Sequence, residues 1–252
     1  MYVLRVFIVF IITSGFSTAV FSQVVNIENK RFYDDTAGWS GNIDLGLSAQ
    51  QVKDIFVSAN LKTHAQYKTR KHYYLLLSDI KYTGSKIVYS NTGMLHFRYA
   101  YRIKNGPWKW ESYVQAQYNQ VLLQKFRGLA GSGLRWKFYD NNKTRFFVGS
   151  SFFYEYEEIL PSIYNNDVRW SSYLSLFIAR PNFNFTCINY YQPLINNFYD
   201  FRISGQFTFL FKVHKKLDFK YEFTHAYDSR PPETVRSYVF STTCGIVYKL
   251  KP

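Results

Sequence analysis

Cysteine is nearly absent, with two in 252 residues, so neither a disulfide scaffold nor a cysteine-based metal cluster is open to this chain. Several long apolar runs are also missing, although 47% of the residues are hydrophobic. That excludes a bundle of membrane-crossing helices, each of which needs about 20 consecutive apolar residues. Acidic residues are few, 17 against 31 Lys and Arg, for a net charge of +14, a balance that points to an anionic partner or surface. No G-x-S-x-G elbow, H-E-x-x-H pair or P-loop occurs. Aromatic residues, by contrast, are abundant: 23 Tyr and 24 Phe bring the aromatic share to 21%, which suits strands better than helices. So much hydrophobicity excludes disorder, while a mean hydropathy of −0.25 requires apolar and polar residues to be finely interleaved.

The first 22 residues stand apart. Arg5 precedes an apolar stretch from Val6 to Ile12, broken by Thr13, Ser14 and Gly15. Val20 and Ser22 fit the −3 and −1 positions of a cleavage site before Gln23, with cleavage after Ala19 as the alternative. The expectation is an export signal over 1–22, too short in its apolar core for an anchor, and no Cys follows to carry a lipid. A short periplasmic segment over 23–39 and a single β-barrel over 40–252 follow.

From Gly38 onward the chain reads with period two. Ile43, Leu45, Leu47 and Ala49 alternate with Asn42, Asp44, Gly46 and Ser48, and Phe201, Ile203, Phe207, Phe209 and Phe211 alternate with Asp200, Arg202, Ser204, Gln206 and Thr208. One face apolar and the other polar is the pattern of a strand between two media. About twelve such segments are expected, near 40–50, 54–67, 72–82, 88–102, 108–121, 126–138, 144–157, 168–180, 183–192, 199–211, 217–227 and 236–250. Most exceed the ~9–11 residues with which a tilted strand crosses a bilayer. Tyr73 to Leu77 and Phe146 to Tyr156 carry apolar residues at both parities and are ambiguous.

Short polar turns at 104–107, 140–142, 180–182 and 214–216 alternate with connections read as longer, notably Glu158 to Asp167 and Asp228 to Val235. Basic residues gather at the short-turn end and acids at the other, with Asp44, Asp140, Asp218 and Glu222 as exceptions, and aromatics lie near strand ends. This is the layout of an all-β, transmembrane, antiparallel up-and-down barrel of about twelve strands. A soluble β-sandwich or a secreted barrel holding a hydrophobic ligand is the competing reading, but its turns would recur every 8–12 residues or so.

Trp108 to Tyr139 resembles the salt-induced outer-membrane protein family, a barrel domain of unknown function. The matching elements are Glu111, Gln115-x-Gln117, Arg127-Gly128-Leu129, Gly131-x-Gly133, Tyr154-Glu155, Arg169-x-Ser171, Tyr190-Tyr191-Gln192-Pro193, Asp200-x-Arg202 and Asp228-x-x-Pro231-Pro232. The resemblance spans roughly Gly41 to Leu250 and implies an outer-membrane β-barrel with no established reaction or ligand. The end departs from the family: Tyr248-Lys249-Leu250 is followed by Lys251-Pro252 instead of a terminal aromatic.

Glu111, Gln115, Gln117, Arg127, Arg169 and Arg202 share the polar parity of their strands and are expected to form a polar network in the lumen, where charges and amides pair across neighbours. Gly128, Gly131 and Gly133 leave room beside them or ease curvature. Bulky Phe56, Tyr113, Tyr173 and Tyr190 share the lumen, so filling of the interior is favoured over an open constriction. Of the five His, His72 and His214 lie at turns, His64 and His96 have lumen parity without an evident Ser or Asp companion, and His225 points towards lipid. Glu155, Glu157, Glu158 and Asp167 read as a charged loop rather than a Ca²⁺ site, because their spacing fits no known loop. The Gly-rich run from Arg127 lies in a strand, where it cannot cradle phosphate as a helix start does. Cys187 and Cys244 are expected to be separate thiols.

The expectation is therefore a monomeric outer-membrane barrel with a structural or narrow-channel role, no catalytic residues, no cofactor and no metal. Its expected partners are outer-membrane lipid, lipopolysaccharide and the barrel-assembly machinery, not nucleic acid. A hydrolase acting on lipid or peptide is the second reading, and the soluble ligand-binding barrel the third.

Overall fold

The structure, a computed structural model, describes residues 37–248 apart from 52–54, 86–87, 105, 142, 161–162, 215–216 and 232–235. The expected export segment over 1–22 lies outside the described residues.

Twelve strands follow one another: β1 Gly38–Gln51, β2 Ile55–Lys68, β3 His72–Gly84, β4 Val88–Arg102, β5 Trp108–Asn119, β6 Gln124–Asp140, β7 Thr144–Ile159, β8 Ile163–Ala179, β9 Phe183–Leu194, β10 Asn197–His214, β11 Leu217–Asp228 and β12 Tyr238–Tyr248. They form one antiparallel sheet in sequence order, so each strand pairs with the next. The fold is all-β and up-and-down, as period-two alternation dictates. Among the described residues no helix is long and apolar enough to cross a membrane. The start of β1 pairs with the end of β2, and the end of β12 with the start of β11, which leaves the start of β1 and the end of β12 at the same end of the sheet.

One expectation fails. The connection read as long between Glu158 and Asp167 is almost entirely strand: Glu158 pairs with Tyr164, Tyr156 with Asn166 and Glu155 with Asp167. Ile159, Ile163 and Tyr164 carry the ladder to its end because β-branched and aromatic residues fit a pleated sheet. The longest connection lies between Asp228 and Tyr238. A 3-10 turn at Gln120–Leu122 joins β5 to β6, capped by the Asn119 side chain accepting from the Leu122 N–H at 3.2 Å.

The two faces differ in kind. On one, Arg127, Glu155, Glu157, Arg169 and His96 are buried. On the other, large apolar residues stand exposed, including Ile43 at 74%, Leu47 at 76% and Phe152 at 58%. The sheet curls around the charged face. Arg202 on β10 donates to Glu155 on β7 at 2.6 Å, although three strand spacings of ~4.8 Å would hold their backbones about 14 Å apart on a flat sheet. Two side chains could span that gap on a flat sheet only by lying along it at full stretch and in the open, whereas both are buried here, so the charged face is concave.

The concave face also carries apolar clusters. Tyr73, Leu75, Leu77, Met94 and Ala100 form one across β3 and β4, and Tyr173, Ile188 and Tyr190 another across β8 and β9, with Phe177 against it. This resolves the ambiguous stretches: β3 and β7 are apolar on both faces because their concave residues fill space inside the curl. Phe56, Tyr113, Tyr173 and Tyr190 lie on this face, the last two buried. Gly131 and Gly149 make the filling possible. A Cβ at Gly131 would collide with the Tyr113 ring and Phe153, and one at Gly149 with the Tyr173 ring, so both tyrosines lie down against the sheet.

Candidate functional site: a buried network on the concave face

Strand β7 places Glu155 at the centre. Its Oε1 accepts from Arg127 Nε on β6 and Arg202 Nη1 on β10, both at 2.6 Å. Its Oε2 accepts from Arg169 Nε on β8 at 3.1 Å. One carboxylate thus holds three guanidiniums, and all four side chains are at most 8% exposed. The arginines reach onward: Arg202 donates to Glu157 at 3.1 Å and to Asp228 at 2.9 Å, and Arg169 pairs with Asp200 at 3.0 Å and Asp167 at 3.4 Å. Such pairs persist in a low-dielectric interior only because each charge is met by opposite charge and further hydrogen bonds.

A second arm begins at Glu111 on β5. It accepts from Arg98 Nη1 at 3.0 Å and pairs with Arg135 at 3.8 Å. Arg98 lies over the Tyr113 ring at 5.0 Å, and Arg135 over the Phe147 ring at 4.1 Å, so aromatic faces share the cationic load. Arg98 Nε also donates to His96 Nε2 at 3.4 Å.

Three glutamines join the arms. His96 Nδ1 meets Gln115 Oε1 at 2.9 Å. Gln115 Nε2 donates to Gln117, Gln117 Nε2 to Gln124 at 2.8 Å, and Gln124 Nε2 to Glu157. Each amide oxygen accepts from one side while its NH₂ donates to the other, so the row has a direction. Because an amide oxygen only accepts, His96 donates from Nδ1, and its Nε2 is the acceptor for Arg98. The imidazole is neutral in this arrangement.

The structure places Glu111, Gln115, Gln117, Arg127, Arg169 and Arg202 on one continuous path, which runs Glu111, Arg98, His96, Gln115, Gln117, Gln124, Glu157, Arg202, Glu155, then Arg127 and Arg169. Sequence reasoning missed Arg98, Gln124, Arg135, Glu155 and Glu157. Glu155 and Glu157, read as loop acids with Glu158 and Asp167, belong to the buried face of a strand. Only Glu158 of that group points outward, where it pairs with Lys125 at 2.6 Å. The missed signal is parity: Phe153, Glu155 and Glu157 alternate with Phe152, Tyr154 and Tyr156.

Between the arms a cavity of about 50 Å³ is lined by His96, Arg98, Glu111, Tyr113, Gln115 and Arg127, with Ser151, Tyr173, Tyr190 and Gln192. It has room for a few water molecules among the side chains that line it.

His225 lies on the convex face, as its parity indicates. It meets Asn189 Oδ1 at 3.0 Å, not the nearby Asp228, and Asn189 donates to Cys187 Sγ at 3.2 Å. That bond passes over β10 at Gly205, where a Cβ would strike both side chains. Both cysteines are free thiols. Among the described residues no group of three His, Cys, Asp or Glu side chains is placed to hold a metal ion.

These observations define a class: an all-β protein whose sheet curls around a buried ionic and amide network and shows its apolar face outward. The chain belongs to the family described as protein of unknown function, DUF481, whose model matches residues 43–250. Among solved structures, one titled NanC porin structure in rhombohedral crystal form is similar over 83% of this chain and 100% of that chain, with 12% sequence identity and a TM-score of 0.48. No curated protein matches.

Proposed function

We propose that this chain is a β-barrel of the bacterial outer membrane with a structural or narrow-channel role for small ions or polar solutes. The inversion of polarity between the two faces carries this reading. A water-soluble sheet buries apolar residues inside, whereas here the inside takes Arg, Glu and Gln and the outside presents Leu, Ile, Phe and Trp. Contiguous apolar surface of that extent needs a cover, and lipid is the cover that suits strands of 11 to 18 residues. In this reading β1 meets β12 to close the barrel, the segment 1–22 directs export, and the chain works as a monomer assembled by the barrel-assembly machinery. The resemblance to the salt-induced outer-membrane family supports the same reading. The filled interior favours a rigid or tightly constricted barrel over a wide pore, and no reaction is assigned.

The test is heat-dependent gel mobility of the chain extracted from outer membranes, followed by planar-bilayer recording of the refolded protein. A compact band that unfolds on heating, and conductance small beside that of an open porin, are expected. A chain that stays in solution without detergent would overturn the membrane reading. Silence at every voltage would remove the channel and leave the structural role.

A further inference from the structure

The turns at one end of the sheet share a feature that the interior network does not explain. Each described turn there carries exposed cations: Arg70 and Lys71 between β2 and β3, Lys104 between β4 and β5, Lys143 between β6 and β7, and Arg180 between β8 and β9, with Lys212 exposed near the end of β10. At the opposite end three of the tips present an exposed apolar residue, Val121, Leu160 and Ile195 at 40%, 43% and 41% exposure. Lys125 there is taken up by Glu158. Lys81 on β3 and Arg230 and Arg236 between β11 and β12 are also exposed at that end, but the described residues of the turns between β5 and β6, β7 and β8, and β9 and β10 carry no cation.

One of these cations stands on a turn backbone that its residue type does not favour, and another is held in place. Lys104 has a φ of +46°, a left-handed backbone that glycine or asparagine adopts more readily than lysine. Arg180 Nη1 donates to the carbonyls of Lys143 and Ala179, each at 3.0 Å, which fixes the guanidinium between two turns.

Immediately inward of this rim, the convex face carries a belt of touching rings. Trp39, Tyr67, Tyr74, Tyr99 and Trp110 run across β1 to β5 with centroid separations of 5.0, 6.3, 5.2 and 6.3 Å. Trp108 stacks on Trp136 at 5.4 Å, and Trp136 meets Phe138 at 4.9 Å. Aromatic belts settle at the headgroup level of a bilayer, and cations just beyond them sit among phosphates.

We propose that this rim is a binding surface for anionic phospholipid headgroups. Resting on the membrane reading above, it places the basic end, where β1 starts and β12 stops, in the leaflet rich in such lipids. Charge complementarity selects the occupant: fixed cations above an aromatic belt fit a phosphodiester tethered to acyl chains, which a free polyanion could not anchor beside the belt.

The full chain is refolded into nanodiscs of mixed phosphatidylglycerol and phosphatidylcholine, and the lipid that remains bound after partial delipidation is counted by mass spectrometry. Wild type is expected to enrich phosphatidylglycerol about five-fold or more, given the pull of each cation near an anionic surface. The R70Q/K104G/K143Q/R180Q variant is expected to bring the ratio near unity, and K125Q to leave it unchanged. Raising salt over wild type to about 0.5 M, where charges are screened beyond a few ångströms, gives the same readout without any variant. Equal retention of both lipids by wild type, or enrichment that survives both the variant and salt, would overturn the proposal. So would phosphatidylglycerol displaced equally well by soluble dextran sulfate. Insertion into vesicles of phosphatidylcholine alone tests the membrane reading separately: insertion without enrichment defeats only the rim, and failure to insert defeats the membrane reading with it.

Discussion

Arg202 on β10 and Glu155 on β7 meet at 2.6 Å with two whole strands between them, and the same Glu155 oxygen accepts from Arg127. This contact ties opposite parts of the curled sheet, so the curl and the network depend on each other.

Replacing Glu155 by Gln keeps its size and removes the charge that three arginines share. A broken buried pair costs about 3–5 kcal/mol, so E155Q should unfold at clearly lower urea concentration, read from the shift between compact and unfolded gel bands. The loss should be coupled: E155Q/R202M should cost less than the sum of the two single variants. Additive losses would mean that the pair is not a pair in the folded protein.

The direction of the glutamine row fixes the His96 proton on Nδ1. Nitrogen-15 NMR of histidine-labelled protein in micelles should show a neutral Nδ1–H imidazole at this position. Q115A should remove that preference, since the Nδ1–H then loses its acceptor. An Nε2–H signal in the unaltered protein would reverse the assignment of the whole row.

Gly131 and Gly149 are spaces into which tyrosine rings lie. G131V and G149V should each drive a ring, Tyr113 or Tyr173, off the sheet and lower stability by about 1–3 kcal/mol, the usual cost of overfilling. G245A should be tolerated, because nothing lies within 4 Å of a Cβ there. Denaturant midpoints of the three variants side by side decide the matter.

The two faces should respond oppositely to charge. F152R on the convex face of β7 should cost about 2–4 kcal/mol if that position sits deep in the bilayer. N42R on the polar face of β1, where Asn42 is exposed, should cost little. Equal and small effects in refolding titrations with lipid vesicles would remove lipid from the convex face.

Much of this was readable from residue order. Twelve strands and their faces follow from alternation, because a period of two leaves each side chain only one of two directions. The six network residues were identified because each is polar at the buried parity of its strand. Gln124 escaped for a definite reason: a bulge between Gln124 and Phe126 resets parity, so Gln124 and Arg127 face the same way although three residues apart. Glu155 and Glu157 lay within the segment expected over 144–157, at the parity of Phe153, but were grouped with Glu158 and Asp167 as one acidic loop. Only pairing with β8 reveals a continuing ladder.

The sequence by itself determined strand number, face polarity, the basic character of one end and the residue types inside, since all of these are local or periodic properties. Only the tertiary structure decided that three arginines from β6, β8 and β10 converge on one carboxylate of β7, that His96 donates a hydrogen bond into a glutamine row, and that Gly205 opens a path from Asn189 to His225. Those are contacts between strands at an angle fixed by curvature, and curvature is a property of the whole sheet that no single strand encodes.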